Sequence, residues 1–116
     1  MRVVEKKFHI ILIEGEQSIE EVVCFLEQNS ERIKRWAYIL HDKDGVCPHY
    51  HIYIFCTRYD NVFLEDFFSH VEPLKTRGKR ILEYFLNRLP SQVGRYQYPV
   101  SAIVANFNVE TLLKRK

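Results

Sequence analysis

The stretch WAYILHDKDGVCPHYHIYIF, from Trp36 to Phe55, contains two apolar runs on either side of a polar loop with a glycine and a proline. We predict strands over Trp36–His41 and Tyr50–Phe55, because both runs are short and rich in aromatic and β-branched residues. The loop between them consists largely of turn-forming residues, which favours pairing of the two strands as an antiparallel hairpin. In such a hairpin, the end of the first strand lies beside the start of the second.

The flanking segments predict further strands and helices around this hairpin. Lys7–Ile13 is apolar on both faces, which predicts a central strand. Ser18 and Glu21 have the spacing of a capping box, ahead of an amphipathic helix that runs to about Gln28. The other predicted elements are a short helix capped by Asp60, an edge strand over Val71–Leu74, a helix from about Gly78 to Leu89 and a last helix from Val109 capped by Asn108. Helices interspersed with an antiparallel sheet indicate an α+β fold.

Length and composition limit the class of protein. The chain has 116 residues, 47% of them hydrophobic and 28% charged, and no linker or repeat, so residues 1–116 are predicted to form one domain. No apolar run approaches the ~20 residues of a membrane span. The first residues, Met1 to Lys7, are too charged for a secretory signal. The three cysteines have no disulfide-framework spacing, so we expect a cytoplasmic protein without a membrane partner.

The charge distribution gives weak evidence of a polyanionic partner. Net charge is only +2, but six basic residues cluster between Lys75 and Arg95. A solvated helix face is the more ordinary origin of such a cluster.

Three histidines of the hairpin predict a metal site. His49 and His51 occupy alternate positions of one strand, so their side chains point to the same face. The hairpin brings His41 beside them, and Asp44 is placed to curl back under His41, whereas Asp42 should point away. Three nitrogens and one carboxylate suit a first-row divalent metal such as manganese, and would also accept zinc or cobalt.

The same residues are compatible with different roles. The loop aspartates are also ordinary turn formers, and two strand histidines need not bind anything. Cys47 is a rival ligand, since a site of His41, Cys47, His49 and His51 would resemble structural zinc.

The predicted helix around Tyr84 contains a candidate nucleophile. Its apolar stripe is formed by Ile81, Leu82, Phe85, Leu86 and Leu89, and Tyr84 lies roughly 130° from the centre of that stripe. Arg80 and Arg88 flank Tyr84 at i−4 and i+4. Cations in these positions, assisted by Lys79, would hold a phosphate and stabilise a phenolate that attacks it. A surface tyrosine among ordinary helix charges is the alternative.

Four segments together resemble successive motifs of a known family. They are residues 36–44 (WAYILHDKD), 48–54 (PHYHIYI), 70–74 (HVEPL) and 83–88 (EYFLNR). In this order they resemble the rolling-circle replication initiators of small Gram-positive plasmids, which belong to the HUH endonuclease superfamily. The resemblance spans about residues 6–113. It departs from many relatives at Asn87, where they have histidine, and in the short loop before Pro48.

The resemblance implies a fold, a cofactor and an activity. The fold would be a five-stranded antiparallel sheet flanked by helices. His41, Asp44, His49 and His51 would bind a catalytic Mn²⁺ or Mg²⁺, and Tyr84 would be the single nucleophile. The protein would nick single-stranded DNA at a plasmid origin through a 5′-phosphotyrosine, and a host helicase and polymerase would act with it.

Two competing functions are also compatible with the sequence. A transposase or relaxase of the same superfamily would use the same motifs, and a non-catalytic nucleic-acid-binding domain would use the histidines for a structural metal. Candidates for contact with the single strand are Arg2, Lys6, Tyr96 and Tyr98, as basic residues and stacking aromatics.

Overall fold

The computed structural model describes residues 6–13, 15, 17–42, 48–57, 62–68, 71–74, 78–86 and 98–113. Within these ranges the chain forms a five-stranded antiparallel sheet and four α-helices, which confirms the predicted α+β class. None of the helices described there has the length and apolar character that crossing a lipid bilayer requires.

The elements follow the predicted order. They are β1 (Lys6–Ile13), α1 (Ile19–Gln28), β2 (Ile33–His41), β3 (His49–Cys56), α2 (Val62–Phe67), β4 (Glu72–Leu74), α3 (Gly78–Leu86), a 3-10 turn (Val100–Ala102), β5 (Val104–Ala105) and α4 (Val109–Leu113). The strand β5 lies at the end of a stretch for which the sequence predicts no definite element.

Two of the predicted helix caps are present. The Ser18 hydroxyl accepts a hydrogen bond from the Glu21 N–H at the start of α1, and the Asn108 side chain accepts one from the Glu110 N–H at the start of α4. Such bonds satisfy N–H groups that have no partner within the helix. The predicted cap Asp60 and the predicted end of α3 at Leu89 lie outside the described residues.

The sheet has the order β4-β1-β3-β2-β5, so β3 is central and antiparallel to both of its neighbours. The hairpin of β2 and β3 is confirmed, with His41 opposite His49 and Ile39 opposite His51. On the other side of β3, Ile11 lies opposite His51 and Ile13 opposite His49.

The predicted central position of β1 is confirmed, since β1 lies between β4 and β3 in the sheet. Among the residues that the structure describes, β4 pairs with β1 from Lys7 to His9. Ile11 and Ile13, which lie beyond this pairing, are 47% and 50% exposed, whereas Ile10 and Leu12 are buried on the opposite face.

Each face of the sheet has its own hydrophobic core. On one face the even-numbered residues of β1 and β3 pack against Val22 and Leu26 of α1 and against Leu64 at α2. On the other face Ala37, Ile39 and Tyr53 pack against α3 and α4. From Arg35 onward in β2, after the register shift that follows Ile33, and throughout β3, the odd-numbered residues point to this second face. The three histidines and α3 therefore lie on the same side of the sheet.

Candidate metal centre

Three histidines meet where β2 ends and β3 begins. One ring nitrogen from each of His41, His49 and His51 lies within 4.8 Å of the other two. His41 and His51 are 1% and 2% exposed, whereas His49 is half-buried. The register explains this cluster, because His41 lies directly opposite His49, and His51 lies two residues further along the same face. The three residues lie close enough to bind a metal ion.

The ring of His41 is held by two contacts. Its Nε2 lies 2.6 Å from the carbonyl oxygen of Phe85 in α3. Because a carbonyl only accepts hydrogen bonds, Nε2 must be the donor, and the lone pair of His41 is then on Nδ1. The ring of Tyr98 stacks on the imidazole with a centroid distance of 4.9 Å, and the Tyr98 hydroxyl accepts a hydrogen bond from the Asp42 N–H. These contacts fix the orientation of a ligand that would otherwise rotate.

The position of Tyr98 corrects one prediction. This residue was a candidate for stacking on a DNA base, but it is 6% exposed and packs within the second core. Its aromatic face is covered by His41, so it supports the metal site instead. Of the other candidates for strand contact, Arg2, Tyr96 and the side chain of Lys6 lie outside the described residues.

The ring of His51 is held by another histidine, which the sequence does not point to. Nδ1 of His51 lies 2.9 Å from Nε2 of His9, and both residues are buried. His9 is on β1, opposite Tyr53 and therefore diagonal to His51 on the same face. Only the pairing of β1 with β3 brings the two together, across 42 positions of sequence.

Burial lowers the pKa of two of the buried histidines, His51 and His9. Desolvation, followed by the nearby His41, His9 and His49, lowers the pKa of His51 from 6.5 to about 2. Burial also lowers the pKa of His9, against a raising effect of the Glu72 carboxylate. A neutral imidazole is the form that binds a metal, so His51 offers its lone pair without competition from a proton at physiological pH.

Tyr84 on α3 lies beside these histidines. Its ring meets the ring of His51 edge-on, with 5.1 Å between the centroids, and meets that of His9 at 6.1 Å. Tyr84 is half-buried, because the same helix buries Leu82 and Phe85 in the second core. The hydrogen bond from His41 to the Phe85 carbonyl ties α3 to the end of β2 and so holds Tyr84 over the cluster.

The structure describes only some of the remaining predicted site residues. Arg80 is exposed on α3, one turn before Tyr84, whereas the side chain of Lys79 and the whole of Arg88 lie outside the described residues. Asp44 and Cys47 also lie outside them. Asp42 is exposed, as expected. Among the described histidine, cysteine and acidic residues, the group that could hold a metal ion consists of the three histidines alone.

The donor set limits the metals that fit. Three imidazole nitrogens suit first-row divalent ions such as manganese, cobalt and zinc. The two buried candidate ligands, His41 and His51, each have one ring nitrogen in a hydrogen bond that orients the ring. Three protein ligands leave further coordination positions for a loop carboxylate, water or a substrate oxygen.

Comparison of the chain with models of known protein families, with curated proteins and with solved structures finds no match. The function of the site must therefore be inferred from its own residues and from the four motifs of the sequence.

Proposed function

We propose that this protein is a metal-dependent, sequence-specific endonuclease and strand transferase that nicks single-stranded DNA at a plasmid replication origin. Tyr84 attacks the phosphodiester and forms a 5′-phosphotyrosine, which starts rolling-circle replication. The main support is the contact between the ring of Tyr84 and the buried ligand His51, at 5.1 Å. A tyrosine nucleophile and a metal that acts on the same phosphate must lie this close together.

The proposed metal ligands are His41, His49 and His51, with Asp44 from the adjoining loop as the fourth. The nitrogen-rich set favours Mn²⁺ over Mg²⁺, because magnesium prefers oxygen ligands. When bound, the metal neutralises charge that develops on the non-bridging oxygens of the phosphate.

The reaction is a transesterification. The Tyr84 oxygen forms a bond to phosphorus as the bond from phosphorus to the 3′-oxygen breaks. The phenolic proton is released, and the 3′-oxygen takes up a proton to become a hydroxyl. The bond energy is retained in the phosphotyrosine, so the strand can be rejoined later, and the free 3′-hydroxyl can prime a host polymerase while a host helicase opens the duplex.

Basic side chains of α3 are proposed to hold the substrate phosphate. Arg80 is exposed one helical turn before Tyr84, which leaves its guanidinium accessible to DNA. Lys79 and Arg88 are assigned the same role from their spacing on the helix.

A panel of single-stranded oligonucleotides tests this function. The purified protein is incubated with Mn²⁺ and oligonucleotides that carry candidate origin hairpins or transposon ends, and the products are read by mass spectrometry and on denaturing gels. We expect a covalent protein–DNA adduct and an equal amount of a fragment ending in a 3′-hydroxyl. Adducts with transposon ends but not with origins would favour a transposase, and metal binding without any cleavage would favour a non-catalytic binding domain.

A further inference from the structure

We propose that His9 is a positioning residue that holds His51 in the tautomer with Nε2 free to bind the metal. This inference rests on the proposed function, since it concerns the same metal site. It assigns a role to a buried histidine that none of the four motifs contains.

The geometry of the two rings shows a directed hydrogen bond. Nε2 of His9 and Nδ1 of His51 are 2.9 Å apart, and the ring planes differ by only 3°. Two parallel rings in face-to-face contact are about 3.5 Å apart, which a nitrogen–nitrogen distance of 2.9 Å excludes. The rings therefore lie edge to edge in nearly one plane, with centroids 5.1 Å apart and the two nitrogens facing each other.

Metal binding fixes which of the two nitrogens carries the hydrogen. For Nε2 of His51 to present a lone pair, its Nδ1 must be protonated and must donate to Nε2 of His9. The reverse arrangement would put the hydrogen of His51 on Nε2 and remove it as a ligand. His9 is therefore the acceptor.

The other buried ligand, His41, also has a hydrogen-bond partner, and His9 itself has a charged neighbour on β4. His41 donates its Nε2 hydrogen to the Phe85 carbonyl, so both buried ligands have a partner that fixes their tautomer. Glu72 of β4 lies directly opposite His9, and its carboxylate raises the pKa of His9 against the larger lowering effect of burial. Partners of this kind orient metal-ligating histidines and raise their basicity, and their loss costs about 10–100-fold in affinity or activity.

Two substitutions at position 9 separate this role from simple packing. His9→Gln keeps a carbonyl oxygen that can accept the hydrogen bond from His51, whereas His9→Phe keeps the ring volume but accepts no such bond. We expect His9→Phe to weaken Mn²⁺ binding, measured by calorimetry, by about 10–100-fold. His9→Gln should stay within a few fold of the original protein. The control Ile10→Val, on the same strand but the opposite face, should bind as before.

A second measurement uses the metal-free protein. Long-range ¹H–¹⁵N spectra of the ¹⁵N-labelled protein distinguish protonated from unprotonated ring nitrogens, and we expect the hydrogen of His51 on Nδ1. In His9→Phe, His51 should show a mixture of tautomers. The spectra of the original protein need no metal, DNA or variant, so they remain decisive if His9→Phe fails to fold.

The outcomes distinguish this inference from the proposed function. Mn²⁺ binding by a protein whose metal-free His51 carries its hydrogen on Nε2, or Mn²⁺ binding that His9→Phe leaves unchanged, would overturn the role of His9 while the metal site stands. Normal Mn²⁺ binding and the expected tautomer without any nicking would overturn the nuclease and leave the role of His9 intact. A protein that binds no Mn²⁺ would overturn both.

Discussion

The ring of Tyr84 meets the ring of His51 nearly at a right angle, with 5.1 Å between their centroids. The two residues come from different elements, α3 and the central strand β3, and the second core between these elements holds them together. The geometry therefore depends on buried contacts of Leu82 and Phe85, which makes it a stable feature of the fold.

Replacing the phenol tests the nucleophile. We expect Tyr84→Phe to abolish the covalent adduct completely while DNA binding changes by no more than a few fold, because only the attacking oxygen is removed. Tyr50→Phe is a matched control, since Tyr50 is also half-buried but packs on the opposite face of the sheet. The measurement is adduct formation on a denaturing gel. Tyr84 would be the wrong residue if the Tyr84→Phe protein still formed the adduct.

Removal of two ligands tests the metal site. We expect the double variant His49→Ala/His51→Ala to lose measurable Mn²⁺ binding in calorimetry and, with it, metal-dependent cleavage. The reason is that the remaining His41 offers a single nitrogen, which cannot hold the ion alone. Normal manganese binding by this variant would show that the ion binds elsewhere.

The fourth ligand can be identified from the loop between β2 and β3. We expect Asp44→Asn to weaken Mn²⁺ binding by about tenfold or more, because it removes a charged oxygen ligand. The matched control is Asp42→Asn, since Asp42 is exposed and lies outside the histidine group.

Cys47→Ser tests the alternative of structural zinc: strong zinc binding that depends on Cys47 and not on Asp44 would favour that alternative.

Much of the fold is predictable from local sequence. The hairpin follows from two short apolar runs around a turn, and the cap at Ser18 follows from a four-residue pattern. The convergence of His41, His49 and His51 then needs only the register of one hairpin, which the short loop determines. These features depend on residues close together in the chain.

The features that sequence reasoning missed depend on distant pairing. His9 reaches His51 only because β1 pairs with β3, and nothing in the residues around His9 specifies that neighbour. Tyr98 belongs to a stretch without clear periodicity, and its burial comes from stacking on His41. Ile11 and Ile13 alternate with buried residues in an all-apolar run, so the pattern of β1 alone does not show that they are exposed.

The buried histidines predict that the metal-free protein loses stability in acid. The pKa of His51 is about 2 in the folded state and 6.5 when unfolded, so between these values the unfolded state binds more protons. The free energy of unfolding therefore rises with pH through this window and levels off above about 6.5. From pH 7 to pH 5 this single group should lower it by about 2 kcal/mol, and His9, whose pKa is also lowered, adds a loss of the same sign.

Denaturant unfolding at pH 5 and pH 7 with a chelator present measures this effect. The variant His51→Gln has no group to titrate at this position, so its loss between the two pH values should be smaller by about 2 kcal/mol. An equal loss in the two proteins would show that His51 is not held neutral by burial.

The exposed isoleucines beside the metal site are expected to contact the DNA strand. Ile11 and Ile13 lie on the same face as His51 and His49 and directly opposite them, so a nucleotide whose phosphate is at the site would cover them. Covering this apolar surface contributes about 1 kcal/mol per side chain, so the double variant Ile11→Thr/Ile13→Thr should weaken binding by about 30-fold. Threonine keeps the β-branched shape that the strand favours, and substitution at exposed positions should change stability by only about 0.5 kcal/mol.

The matched control is Val104→Thr, because Val104 is 44% exposed but pairs with Tyr38 and so points to the opposite face. Binding is measured by fluorescence anisotropy in proteins that also carry Tyr84→Phe, so that no strand is cleaved, with the oligonucleotide that the original protein nicks. Equal affinities of the double variant and the control would place the strand elsewhere on the protein. A loss confined to the double variant would locate the DNA on the half of β1 that carries the two isoleucines, since they lie on the same face of the sheet as His49 and His51.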